Sequence, residues 1–383
     1  MRRSLFEQEH DDFRQLVRDF ISREVVPRYE QWIKDGIVPR DLYRQLGEIG
    51  VMGFAIPEEY GGAGLDDYRY NTVLREEQAR VNVSLGTVQT HLDVVLPYLL
   101  KYANDEQRDR WFPGLAAGEK FLAIAMTEPG TGSDLAGIKT TAKRDGDDYI
   151  VNGSKTFITG GELAELVIVV ARTSPPVDGN RRSGLSLIVV EDGMSGFAKG
   201  RRLEKIGLKA QDTVELSFDD VRVPAANLLA EQDQAFSYLG HNLAQERLAI
   251  AVGAVAQSRA ALEMTIDYVK NRSLFGTTVA AMQNTKFELA SVASELEAAQ
   301  AFVDLGVASL VAGELSGADA AKIKLVCTET QGRIMDRCLQ LHGGYGYILE
   351  YPIARLYTDA RVSRIYGGTS EVMKSIVSKS LGL

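Results

Sequence analysis

Glu246 lies in Leu243-Ala-Gln-Glu-Arg-Leu-Ala-Ile250, at the head of a long apolar stretch. On a helix, Leu239, Leu243, Glu246, Ile250 and Gly253 share one stripe, so the carboxylate belongs to an otherwise apolar, inward-facing row. A charge in such a row is costly unless it is paired or functional. Loss of solvent raises a carboxyl pKa toward the working range of a general base, and that is the chemistry this position could perform. Pairing with the adjacent Arg247 is the structural alternative. A distant segment, Ile365-Tyr-Gly-Gly-Thr-Ser-Glu371, sets two small residues, Gly367 and Gly368, beside a hydroxyl and a second acid.

The elements that must carry these residues are legible in outline. Residues 1–120 read as a helical domain: Phe13, Leu16, Val17 and Phe20 recur at helical spacing, as do Leu42, Leu46 and Ile49. Pro57-Glu-Glu-Tyr-Gly-Gly-Ala-Gly64 breaks that pattern as a loop. Residues 121–231 change texture to β. There, Asn152-Gly153 stands between two β-prone runs within Tyr149–Thr159, which predicts a hairpin, and further strands are expected at 166–171, 185–190 and 214–218. Residues 232–383 return to helix, with long stretches at 232–271, 284–314 and 317–341; the last runs into His342-Gly343-Gly344, where glycine suits a helix end. The expected class is α+β, in the unusual order helices, β insert, helices.

A net charge of −9 and a pI near 5.2 argue against a nucleic-acid partner, which would need a basic face. Cys327 and Cys338 have neither metal-ligand nor CxxC spacing and read as helix-packing residues in a reducing compartment. His10, His91, His241 and His342 form no HxxxH or HExxH pattern, so no metal is expected. The N-terminus turns acidic without the apolar segment of a secretory signal, and no apolar run is long enough to span a membrane. A cytoplasmic protein without a membrane partner is expected.

Met126-Thr-Glu-Pro-Gly-Thr-Gly-Ser-Asp134 concentrates small and hydroxyl residues where backbone must approach something closely. It is not a dinucleotide fingerprint, because the third glycine and the βαβ setting are missing, and no GxxxxGK[ST] occurs anywhere. It is followed in turn by Phe157-Ile-Thr159, Asn271-Arg-Ser-Leu-Phe-Gly276, Gln283, Leu339-Gln-Leu-His-Gly-Gly-Tyr-Gly-Tyr347 and the Tyr366-Gly-Gly segment. With these motifs in this order and spacing, the chain resembles the acyl-CoA dehydrogenase family over essentially its full length, and within it the long-chain and isovaleryl branch.

The resemblance implies three domains: N-terminal helices, a middle β-barrel-like domain and a C-terminal four-helix bundle. It implies FAD as cofactor, an acyl-CoA substrate oxidised to the trans-2-enoyl thioester, an electron-transferring flavoprotein as acceptor, and a homotetramer or dimer. The flavin ring would lie against Met126, Thr127, Phe157 and Thr159, with Ser133 at the flavin–substrate edge. Arg272, Phe275, Gln283, Gln340, Gly343 and Gly344 match positions that hold the dinucleotide, partly from an adjoining subunit; Thr369 and Glu371 match positions near its adenosine diphosphate portion. Many members carry the catalytic glutamate where this chain has Gly367. The long-chain and isovaleryl branch carries it on the adjacent helix before an arginine, which is Glu246-Arg247 here. Gly367 then removes bulk and like-charge repulsion from the opposite wall and donates its N–H to the thioester carbonyl. The β-hydrogen passes to flavin N5, and Ala244, Arg247, Gly368 and Ser133 border the thioester arm. A medium, long or branched acyl chain is favoured. An oxidase, a carrier-protein-linked dehydrogenase and an inactive helical scaffold are the competing readings.

Overall fold

The apolar positions of the first third close into six helices: α1 (Gln8–Phe20), α2 (Tyr29–Asp35), α3 (Arg40–Glu48), α4 (Tyr68–Arg80), α5 (Leu96–Tyr102) and α6 (Asp105–Ala116). The computed structural model describes residues 3–383; Met1 and Arg2, where the helical reading begins, lie outside them. Val17, Phe20, Leu42 and Leu46 are buried in one core, and Phe13 and Ile49 pack against it. Leu16 faces solvent instead. Local chemistry starts these helices: Asp67 caps α4 by accepting from the Arg69 N–H, and Asn104 and Gln107 form a reciprocal capping box on α6.

The middle of the chain forms one eight-stranded sheet: β1 (Leu122–Ala125), β2 (Thr141–Asp145), β3 (Asp148–Thr159), β4 (Leu166–Arg172), β5 (Leu185–Glu191), β6 (Phe197–Arg202), β7 (Thr213–Pro224) and β8 (Leu228–Leu229). The order is β6-β7-β3-β2-β4-β5-β8, with β1 parallel to β4. The strand period of two explains why β4 and β5 read as unbroken apolar runs. Leu166, Ile168 and Val170 of β4 enter the core shared with the N-terminal helices, while Val167, Val169 and Ala171 enter the core of the β domain. Both faces are covered, so these strands join the two domains.

The hairpin expected at Asn152-Gly153 does not form. The chain runs through it as a single strand, and the turn lies earlier, where Asp145 of β2 pairs with Asp148 of β3. The physical reason is β7, which pairs with both halves, Val151 to Val221 and Gly153 to Phe218, with a bulge between. Gly153 serves that bulge at φ 148°, where a Cβ would crowd Thr140.

The C-terminal helices are α7 (Ala235–Asn271), α8 (Gln283–Val311), α9 (Gly317–Leu341), α10 (Pro352–Ala360) and α11 (Ser370–Ser380). Leu248, Val252, Leu296, Val303, Ile323 and Ile334 of α7, α8 and α9 form their common core. Among the described residues no helix is long and apolar enough to cross a membrane.

Candidate active site

α7 changes partners near Glu246. Ala235 and Leu239 bury in the core of the N-terminal helices, whereas from Leu248 onward the helix buries in the C-terminal core. The carboxylate is thereby set at a seam between two cores. The residue is half-buried, but its Oε2 is shielded from solvent and has no hydrogen-bond partner among the described residues. Burial raises its pKa above the ordinary carboxylate value; the positive charges of Arg247 and Lys324 oppose that rise without cancelling it. Tyr98, which is buried, also feels the Glu246 charge, and burial pushes its phenol up and holds it neutral.

Gly367 faces this acid. Its φ of 62° lies in the left-handed region. A Cβ at this position would overlap Ile250 Cδ1 and stand 3.3 Å from Glu246 Oε1. The turn is pegged from behind: Arg247 Nε donates to the Gly367 carbonyl at 3.4 Å, and Lys324 Nζ donates to the Gly368 carbonyl at 2.6 Å. Arg247 is therefore committed to the turn and forms no ion pair with Glu246 among the described residues. Lys324 is buried, which pushes its ammonium down to about 8, with Glu246 pulling the other way. Ala244 is buried two residues before Glu246.

Sequence reasoning missed Lys324. Its signal was available: Ala320, Lys324, Cys327 and Gln331 fall on one helical stripe, and all are buried. Gly367→Ala tests the turn. Forcing a side chain into left-handed backbone should cost about 1–2 kcal/mol. Displacing the adjacent N–H should lower turnover about tenfold. Denaturant melts and steady-state rates measure the two separately.

The remaining predicted residues gather in two groups. In the first, the Thr156 N–H donates to the Thr127 carbonyl at 2.9 Å and Lys155 Nζ to the Met126 carbonyl at 3.0 Å, so Met126 and Thr127 lie along the end of β3 that carries Phe157 and Thr159. Ser133 is exposed in the loop that follows, beside the Arg181–Asp134 ion pair. Phe157 is 66% exposed, with φ 60°. In the second group, Arg272 lies 5.2 Å over the Tyr345 ring, near Gln340, Gly343 and Gly344 at the end of α9. Phe275 tops the hairpin of β9 (Ser273–Leu274) and β10 (Thr277–Thr278) and is 89% exposed. Gln283 opens α8, also exposed. Thr369 caps α11, accepting from the Val372 N–H, and Glu371 is exposed in its first turn. Hydrogen bonds from its own backbone and from Thr369 hold the Glu371 carboxyl below the usual value, which suits an anion and not a base poised near neutrality.

These groups fit FAD. Two large apolar rings turned outward on left-handed backbone mark surfaces built to be covered. Arg272 has no acidic partner among the described residues, and a Cβ at Gly343 or Gly344 would meet nothing in this chain. A free guanidinium beside open glycine backbone suits a pyrophosphate.

Comparison with known proteins agrees. Family models match in order the acyl-CoA dehydrogenase N-terminal domain over residues 7–119, the middle domain over 123–221 and the C-terminal domain over 234–382. The mitochondrial long-chain specific acyl-CoA dehydrogenase of Sus scrofa is 47% identical over 379 residues, covering 99% of this chain and 88% of the relative. The crystal structure of an acyl-CoA dehydrogenase from Geobacillus kaustophilus superposes with a TM-score of 0.96 at 45% identity, covering 99% of each chain. A glutaryl-CoA dehydrogenase from Mycobacterium smegmatis, solved in complex with FADH2, superposes with a TM-score of 0.88 at 30% identity, covering 98% of this chain and 95% of that one. The chain belongs to the acyl-CoA dehydrogenase family, and it is an FAD-dependent oxidoreductase.

Proposed function

We propose that the protein dehydrogenates a saturated acyl-CoA thioester between its α and β carbons, giving the trans-2-enoyl thioester, with Glu246 as the general base. The observation that carries this reading is a carboxylate set against a glycine turn, with its Oε1 toward Gly367 and its Oε2 shielded from solvent and unpaired. When bound, FAD supplies the two-electron acceptor for the β-hydrogen. The chain's own residues do the rest. Glu246 takes the α-proton onto its carboxylate. The Gly367 N–H, in a turn clamped by Arg247 and Lys324, donates to the thioester carbonyl as enolate charge develops there. Such a preorganised donor contributes about 2.7–4 kcal/mol. Ala244, Gly368 and Ser133 border the thioester arm.

Similarity to a long-chain enzyme supports a medium, long or branched acyl chain. The acceptor in this reading is an electron-transferring flavoprotein, and the protein works in the cytoplasm. Phe287 and Leu305 of α8 and Val326 of α9 are exposed, which supports pairing of copies into a dimer or tetramer through this face.

The test is anaerobic mixing with a panel of acyl-CoA thioesters, following flavin bleaching against pH. Because the base acts ionised and its pKa is raised by burial, bleaching should accelerate as pH rises through a value above the ordinary carboxylate range. A rate that is flat, or that falls with rising pH, would assign proton removal to another group. Reoxidation by an electron-transferring flavoprotein and not by air separates this reading from an oxidase.

A further inference from the structure

Lys155 and Lys324 are the buried lysines among the described residues, and the fold treats them differently. Lys155 meets an acid, Glu128 Oε1, at 3.0 Å. Lys324 of α9 is 1% exposed and has no ion pair among the described residues. Its ammonium donates instead to the Gly368 carbonyl at 2.6 Å. A buried cation held by a carbonyl and not by an acid costs stability, so structure alone gives no reason for a lysine here.

The geometry around Gly367 supplies one. A Cβ there would stand 3.3 Å from Glu246 Oε1 and 3.6 Å from Lys324 Cε, so acid and lysine converge on one point from different helices. Arg247, next to the acid on α7, is occupied by the Gly367 carbonyl. The other charged and titratable groups packed around the acid are engaged elsewhere or neutral. Ahead of α5, buried Asp93 accepts from Asn71 Nδ2 at 2.6 Å and faces Arg75 Nη2 of α4 at 3.4 Å. Tyr98 and Tyr102 of α5 are phenols that burial pushes up. Tyr366, just before the turn, is exposed. Glu329, further along α9, faces Arg364 at 3.4 Å and accepts from Ser370 Oγ at 2.5 Å. Lys324 is left as a cation that no acid neutralises, set against the turn that Glu246 faces.

We propose that Lys324 is a positioning residue for the reaction: its hydrogen bond fixes the turn that receives the thioester carbonyl, and its charge keeps Glu246 ionised and able to take the α-proton. The inference rests on the reading of Glu246 as the base and deepens it. Lys324 gives up no proton itself; the α-proton passes to the Glu246 carboxylate alone. The sign follows from electrostatics. A carboxylate beside a cation stays charged to lower pH than one equally buried without it. Burial raises the Glu246 carboxyl, and Arg247 and Lys324 pull it back. Burial brings the Lys324 ammonium down to about 8, so below that pH the helping charge is present.

The test compares the wild-type holoenzyme with Lys324→Gln, which keeps an N–H donor and loses the charge, and with Lys324→Arg, which keeps the charge. Two readouts apply. One is the pH dependence of anaerobic flavin bleaching by decanoyl-CoA, or by the panel thioester that bleaches wild type fastest. The other is the infrared band of the protonated Glu246 carboxyl in the resting holoenzyme, isolated by difference against Glu246→Gln. In Lys324→Gln the rising limb and the band should both move up by about one pH unit, which makes bleaching about tenfold slower on the acid side of the limb. In Lys324→Arg neither should move. Glutamine removes a buried unpaired cation, so that variant should fold; if arginine is not accommodated, Lys324→Gln against wild type decides alone. A limb and band unmoved in folded, FAD-loaded Lys324→Gln would overturn the role and leave the dehydrogenase reading standing. Equal shifts in both variants would assign the effect to shape and overturn it too. A limb that persists in Glu246→Gln, or a wild type bleached by no thioester of the panel, would overturn both readings.

Discussion

Glu246→Gln should purify with FAD bound and lose turnover by about 10²–10⁴-fold. Glutamine keeps the shape of the side chain facing Gly367 and cannot accept the proton. The loss should appear in the reductive half-reaction, seen as slow bleaching in stopped flow, and not in substrate affinity, because a general base, the role we propose for this carboxylate, acts at the transition state. Folding should be little affected. The buried oxygen has no partner to strand, and removing an uncompensated buried charge is not destabilising in itself. Near-wild-type bleaching in a fully loaded variant would move the role to another group. Glu371 would be a poor heir, since it is exposed and held ionised on the first turn of α11.

What the sequence revealed and what it hid divide along the range of the interactions. The long helices and the paired runs of β4 and β5 were legible because their patterns are local: a period of 3.6 in α7, α8 and α9, and continuous apolar strands bounded by turns. The Asn152-Gly153 reading failed because a strong turn signal was outweighed by pairing with β7, which lies some sixty residues further on and leaves no trace in the local pattern. The same limit governs the site. Glu246 could be found from its apolar row, and the meaning of Gly367 came from resemblance. That Lys324 and Arg247 clamp the Gly367-Gly368 turn depends on α7, α9 and the C-terminal segment meeting, which no spacing encodes.

Lys155→Met should cost about 3–5 kcal/mol of stability and release FAD, although the sequence reading gave this residue no role. Lys155 is wholly buried in β3, and its Nζ lies 3.0 Å from Glu128 Oε1 and 3.0 Å from the Met126 carbonyl. Glu128 accepts in turn from the Lys139 and Thr140 N–H groups, both at 2.8 Å. Burial alone would raise the Glu128 carboxyl, but these hydrogen bonds and the Lys155 charge hold it below the usual value; burial pushes the Lys155 ammonium down to about 8. One buried pair thereby ties the 126–134 loop to the strand that presents Phe157 and Thr159, and so fixes relative to each other the two walls that our proposal offers to the flavin ring. Removing the cation strands an acid that is 7% exposed. The double variant Lys155→Met with Glu128→Gln separates charge from shape: it should recover much of the stability by removing the stranded charge, yet still bind FAD weakly, because the tether to the Met126 carbonyl is gone. Denaturant melts and flavin-to-protein ratios read the two effects. A Lys155→Met protein as stable and as yellow as wild type would show that the loop holds its place without the pair.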